Sequence, residues 1–219
     1  MAYKAIIAGA TGLIGSNLLN ILLTQPEYDE VVILVRKKTG IKNEKLTELV
    51  TDFDKLDDYA DKITGHAIFC CLGTTQKQTP DLKIYRKIDH DYPVKLAQLA
   101  KQNGVDQYHL VSSLGANAKS STFYLKLKGE TEEDIKQVGV KSLHIYQPSL
   151  LTGDRKEYRG LMEKIATGVM KVISPLLIGS LKKYRSIPAQ TVAMAMFKQS
   201  IKHEEGVFTH PSDHIKQLA

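Results

Sequence analysis

Residues 5–15 read AIIAGATGLIG: four apolar residues, then Gly9-x-x-Gly12-x-x-Gly15 opening the amphipathic stretch LIGSNLLNILL. A short buried strand that runs through three glycines into a helix is the context in which this spacing binds a dinucleotide. Gly9 permits the tight turn, Gly12 lets the backbone approach a pyrophosphate, and Gly15 lets helix and strand pack closely. The first turn of the helix, around Thr11, Leu13 and Ile14, presents unpaired N–H groups and the positive end of the helix dipole to the phosphates.

The pattern continues outward from this unit. Apolar runs predict strands at 4–8, 30–35, 46–50, 67–72, 107–112, 141–147 and 206–210, alternating with helical periodicity over 13–23, 84–102, 123–138, 161–173 and 189–201. Strand–helix alternation of this kind gives a Rossmann-like α/β fold, a doubly wound parallel sheet with helices on both faces. No repeat or Gly/Ser-rich linker divides the 219 residues, so one domain is expected. From about residue 148 onward the alternation weakens, and 148–219 is read as a small substrate-side extension.

Composition narrows the function classes. The chain is 42% hydrophobic and 25% charged, values of an ordinary globular protein rather than of a disordered or fibrous one. Its net charge of +6 comes from 25 Lys and 5 Arg spread along the chain, without the clustering and aromatic interleaving of a nucleic-acid surface. No run of eighteen apolar residues points to a membrane span. The adjacent Cys70 and Cys71 lack other partners and predict a reducing, cytoplasmic location. None of the seven histidines forms a metal-ligand spacing such as H-x-x-x-H on a predicted helix. His90, early in the third helical stretch, reads as a helix-surface residue, and Met162, Met170, Met194 and Met196 as core packing.

Cofactor choice is expected at the end of the second strand. An NAD site places a carboxylate there for the ribose hydroxyls, but this chain reads VVILVRKK, with Arg36, Lys37 and Lys38 instead. A guanidinium forks onto a 2′-phosphate and stacks on adenine, so NADP(H) is the expected cofactor. A basic turn that is merely solvated is the competing reading. Asp52 and Phe53 near adenine, and Leu72 and Gly73 near the ribose, are further expected contacts.

Tyr124 and Lys128 stand one helical turn apart on one face, the only Tyr-x-x-x-Lys pair in the chain. They follow the fifth strand, whose end carries Ser112 and Ser113 to the edge where a nicotinamide would lie. Reducing a carbonyl leaves an alkoxide that needs a proton, and a phenol beside an ammonium can supply it. A surface Tyr and Lys with serines capping the next turn would use the same residues structurally.

Taken together, GATGLIG, the VRK strand end, CLGTT at 71–75, IDHDYPVKLAQLAKQNGV at 88–105, HLVSSLGA at 109–116, YLKLKGETE at 124–132 and QPSLLTGDRKEYR at 147–159 resemble the short-chain dehydrogenase/reductase superfamily. The similarity is greatest to its atypical group, which includes the Tat-interacting-protein-like oxidoreductases. The resemblance implies that Tyr124 is the proton donor or acceptor, Lys128 its cofactor-binding partner and Ser113 the substrate-orienting hydroxyl. It also implies that Leu151 and Arg159 reach the cofactor. The chain departs from the family pattern in a short Ser113–Tyr124 interval and in Gln147, where an arginine is usual. The expected activity is hydride transfer to a small carbonyl-type substrate. Two alternatives stay open: a non-catalytic NADP(H)-binding regulator similar to NmrA-like redox sensors, and a nucleotide-sugar epimerase. A protein partner or a homo-oligomer is compatible with all three.

Overall fold

β1 (Tyr3–Ala8) is an interior strand, third of seven in the sheet, and its Ala5, Ile6, Ile7 and Ala8 are completely buried. A continuous apolar run suits this place because both faces of a central parallel strand are covered. The computed structural model describes residues 3–153 and 184–219. Arg159, Met162, Met170 and the expected helix over 161–173 fall outside the described residues.

The remaining strands of the sheet are β2 (Tyr28–Val35), β3 (Leu46–Val50), β4 (Ala67–Cys70), β5 (Gln107–Val111), β6 (Ser142–Gln147) and β9 (Gly206–Pro211). Their order is β3-β2-β1-β4-β5-β6-β9, and each pairing is parallel. The chain winds outward from β1 in one direction and from β4 in the other, so the topological switch point lies between those two strands. In register, Ala8 stands beside Leu34 and Cys70, and Cys70 beside Leu110. The residues that follow these positions therefore emerge along one edge.

Helices cover both faces. On one, α1 (Leu13–Thr24), α5 (Ala189–Ser200) and α6 (Ser212–Leu218) bury Leu18, Leu19, Leu22, Val192, Met196 and Ile215 against Ala5, Ile7 and Val31. On the other, α3 (Tyr92–Gln102), α4 (Phe123–Val138) and the 3-10 turns of Phe53–Lys62 enclose Ile6, Ile68, Leu96, Leu99 and Ile135. Each such aliphatic side chain contributes roughly 1.5–3 kcal/mol when removed from water, and successive residues of β1 divide between the two clusters, Ala5 and Ile7 in one and Ile6 and Ala8 in the other. Met196 is fully buried and Met194 packs against the same core.

The helix expected over 84–102 is interrupted. Asp81 caps α2 (Leu82–Arg86) by accepting from the amides of Lys83 and Ile84, and a π-helical turn, Lys87–Asp91, then intervenes before α3. After β6, β7 (Leu151–Thr152) pairs with β8 (Ile187–Pro188), while β9 and α5 complete the main sheet and its cover.

Candidate cofactor and catalytic site

Glycines shape the floor of the site. Gly9 has a φ of +85°, and a Cβ placed on it would stand 2.6 Å from the Cys71 carbonyl oxygen. A Cβ on Gly15 would lie 2.2 Å from the Gly9 oxygen, closer than atoms can pack. These two glycines are thus demanded by the β1–α1–β4 packing. Gly12 is different: it caps α1, and among the described residues a Cβ there would meet only the Gly9 oxygen, at 3.2 Å. No side chain caps α1 and no acid occupies its first turn, so the amides after Gly12 keep their capacity for an anion. Thr11 and Gly12 are exposed, and Leu13 and Gly153 meet at this loop, where a Cβ on Gly153 would touch Leu13 Cδ1 at 3.1 Å. Leu151, two residues earlier, begins β7 and packs against the apolar cluster that includes Ala10 and Ile14.

At the end of β2, Arg36, Lys37 and Lys38 are exposed and pair with no carboxylate among the described residues. The nearby Glu48 is taken by the Thr39 amide at 3.0 Å and by its hydroxyl. Asp52 caps the 3-10 turn through the Asp54 amide, and Phe53 packs on Tyr92 with ring centroids 5.5 Å apart. Beyond β4, Leu72 and the exposed Gly73 begin the loop that leads to Thr74.

The serines after β5 have separate fates. Ser112 is buried and donates its hydroxyl to Glu132, which also accepts from Gln147 Nε2 at 2.9 and 3.1 Å. Ser113 is half-buried, and its hydroxyl makes no hydrogen bond among the described residues. Tyr124 sits in the first turn of α4, 37% exposed, with a phenol that is likewise unengaged. The short interval between them is accommodated at Gly129, where a Cβ would lie 2.2 Å from the Ala118 nitrogen. Because α4 has no side chain there, Asn117 and Ala118 lie directly on the helix, and the Asn117 amide bonds the Leu125 carbonyl at 3.0 Å.

Lys128 is 5% exposed, one turn along α4 from Tyr124. Its ammonium lies 2.9 Å from Asp89 Oδ1, and Asp89 is 1% exposed. Burial would push this ammonium down, but Asp89 and then Tyr124 outweigh it and hold Lys128 above the ordinary lysine range. Asp89, Thr74, Gly129 and Glu132 were not legible as site residues. His90 also differs from expectation: it is buried, with Nδ1 2.7 Å from Asp91 and Nε2 2.9 Å from Asp134, and so ties the π-turn to α4. Burial pushes the thiol of Cys71 strongly up, and that of Cys70 up as well, so neither offers a ready nucleophile.

Comparison with known proteins agrees with this geometry. A sequence model of an NAD(P)H-binding family matches residues 9–198. The chain is 38% identical over 160 residues to the rat protein HTATIP2, a match spanning 71% of this chain and 66% of that protein. It is 30% identical over 175 residues to the mitochondrial protein FMP52-1 of Scheffersomyces stipitis, covering 78% of this chain and 76% of the other. Among solved structures, a UDP-N-acetylglucosamine 4-epimerase from Methanobrevibacter ruminantium superposes with a TM-score of 0.71 at 17% identity, over 96% of this chain and 76% of the epimerase. That likeness is one of fold. These matches bear out the resemblance to the atypical short-chain dehydrogenase/reductases. They also correct the expected cytoplasmic location, since the relatives from S. stipitis, Candida albicans and Coccidioides immitis are named mitochondrial. No helix among the described residues is long and apolar enough to cross a membrane.

Proposed function

The chain belongs to the NAD(P)H-binding family, and from this premise we propose that it is an NADP(H)-dependent oxidoreductase acting on a small carbonyl compound. The observation that carries the reading is the division of labour between the two serines. Ser112 is consumed by Glu132, while among the described residues the hydroxyl of Ser113 and the phenol of Tyr124 are both left unengaged.

When bound, the nicotinamide supplies or takes up the hydride. Tyr124 gives the proton to the substrate oxygen, and Ser113 donates a hydrogen bond that holds that oxygen. Lys128, charged and buried, offers its ammonium to ribose hydroxyls. The amides after Gly12 receive the pyrophosphate, and Arg36 with Lys37 receives the 2′-phosphate. Leu72, Gly73 and Leu151 are the proposed apolar and backbone contacts on either side.

The test is Tyr124→Phe assayed with NADPH and a panel of small carbonyl compounds. Turnover is expected to fall by about 10²-fold or more while cofactor affinity changes by less than about threefold. Unchanged turnover removes Tyr124 from the mechanism. Tight NADPH binding by the unsubstituted protein without turnover of any substrate favours the non-catalytic regulator instead.

A further inference from the structure

Asp89 is the most buried carboxylate among the described residues, and the reaction above leaves it without a task. It stands in the π-helical turn between α2 and α3, a distortion of the helix ladder that is frequently found at functional sites. Its carboxylate spans two elements. One oxygen accepts from the Thr74 amide at 2.8 Å, in the loop after β4, and the other faces Lys128 Nζ at 2.9 Å on α4. The same helix grips the turn a second time, through Thr131 Oγ1 donating to the Asp89 carbonyl at 3.0 Å. Gly73 lies directly over the pair: a Cβ on it would be 3.5 Å from Asp89 Oδ1 and 3.8 Å from Lys128 Nζ.

An ammonium this deeply buried sheds its proton unless a counter-charge is held beside it. The groups facing Lys128 are Asp89 from the π-turn, Tyr124 on its own helix and Cys70 at the end of β4. Asp89 alone among them is a carboxylate. We propose that Asp89 is a positioning residue for the cofactor: it keeps the Lys128 ammonium charged and fixed beneath Gly73, and locks it in register with the Thr74 loop. This rests on the cofactor-binding reading above. A lysine held by a carboxylate presents its remaining N–H donors in a set direction, while the loop that supplies Gly73 is fixed by the other oxygen of the same group. Burial pulls the Lys128 proton off and Asp89 holds it on, so removing the charge of Asp89 lets burial win.

The discriminating variant is Asp89→Asn, which keeps an acceptor for the Thr74 amide and discards only the charge. NADPH affinity is measured by fluorescence titration between pH 6.5 and 9. The unsubstituted protein is expected to give a flat profile, and Asp89→Asn a profile that weakens by about tenfold as pH rises and Lys128 loses its proton. A folded Asp89→Asn whose profile runs parallel to that of the unsubstituted protein overturns the proposal. Should Asp89→Asn fail to fold, the titration of Lys128 in the cofactor-free natural protein decides. In NMR spectra of ε-¹³C-lysine-labelled protein, assigned with Lys128→Arg, Lys128 is expected to stay protonated through pH 9. A midpoint below that pH overturns the assignment of Asp89 as its counter-charge. Because this last measurement uses no cofactor, it stands even if NADPH does not bind, an outcome that would instead remove the functional reading.

Discussion

His144 of β6 stacks on His109 of β5, with ring centroids 4.7 Å apart and planes 9° from parallel. The register of the sheet makes these two residues direct neighbours, and it sets His210 of β9 beside Tyr146. His144 Nδ1 reaches His210 Nε2 at 3.0 Å, and His109 Nδ1 reaches the Tyr146 hydroxyl at 3.1 Å. A hydrogen bond between two imidazoles requires one to accept, so this ladder is satisfied only when at least one ring of the pair is neutral.

Acid is therefore expected to unfold the protein through these residues. Burial, then the neighbouring histidines, hold His109 well below the ordinary value, and burial first of all brings His144 to about 3 and His210 to about 4. In the unfolded chain each takes up a proton near pH 6.5. The unfolded state thus binds more protons between that pH and the folded values, and stability falls as pH drops from about 6.5 toward 4. Each such histidine contributes at most about 1.4 kcal/mol per pH unit to that slope. His144→Gln should be less stable at pH 7, having lost the stack, but should lose stability less steeply below pH 6.5. Thermal unfolding at pH 7, 6, 5 and 4.5 measures both, and equal slopes would contradict the assignment.

The three glycines of the first turn are expected to separate into two classes. Gly15→Ala forces a methyl to within 2.2 Å of the Gly9 oxygen, an overpacking that costs about 1–3 kcal/mol or shifts α1 off β1. Gly12→Ala meets only one oxygen, at 3.2 Å, and should leave the melting temperature almost unchanged. It should nevertheless weaken dinucleotide binding by about tenfold or more, because the methyl stands where the pyrophosphate must approach the amides. Melting curves and nucleotide titration on both variants check this. A Gly12→Ala that binds normally would move the phosphate site elsewhere.

Much of this organisation was legible in the sequence. The seven strands of the main sheet were expected within a residue or two at each end, since a fully apolar run such as Ala5–Ala8 has no other use in a chain of this period. What the sequence hides is whatever depends on two distant segments meeting. A carboxylate at position 89 on a helical stretch looks solvated until Lys128 and Thr74 are brought to it from elsewhere. The burial of His90 is hidden for the same reason, and the histidine ladder is invisible because its members lie 35 and 66 residues apart along three strands, joined only by register. The break at Lys87–Asp91 was hidden as well, as a π-turn leaves the apolar periodicity on either side intact.

Gly129 gives a prediction about the serine. Asn117 and Ala118, midway along the segment from Ser113 to Thr122, reach α4 because Gly129 has no side chain, a Cβ there falling 2.2 Å from both the Ala118 nitrogen and the Asn117 carbonyl carbon. Gly129→Ala should lift this segment from the helix and expose it to protease. Ser113 then moves relative to Tyr124, so activity should fall at least tenfold, with α1 and the phosphate loop undisturbed and dinucleotide affinity retained. Cleavage mapping by mass spectrometry, beside a nucleotide titration, separates these effects. Protection equal to that of the unsubstituted protein would show that the helix can yield instead.

Arg36 gives the sharpest test of cofactor choice, because it has no competing structural duty. It is exposed at the carboxyl end of β2 and pairs with no carboxylate among the described residues, and the nearest acid on β3, Glu48, is already engaged by Thr39. Its removal should therefore leave the fold intact, with a melting temperature within about 1 °C. A guanidinium at this place gains a bidentate, charge-assisted contact with a 2′-phosphate, and little from the free hydroxyl of NAD(H). Arg36→Asp reverses the charge, so it repels the phosphate and also offers two acceptors to the ribose hydroxyls. NADPH affinity should drop by about 10²-fold or more while NADH affinity holds or improves. Lys37→Ala, at the neighbouring position, should cost NADPH less, since an ammonium lacks the planar fork. Parallel titrations of both nucleotides against both variants read out the difference. Equal losses for NADPH and NADH in Arg36→Asp would mean that residue 36 acts on the fold or on the shared part of the dinucleotide, and that the basic strand end does not choose the cofactor.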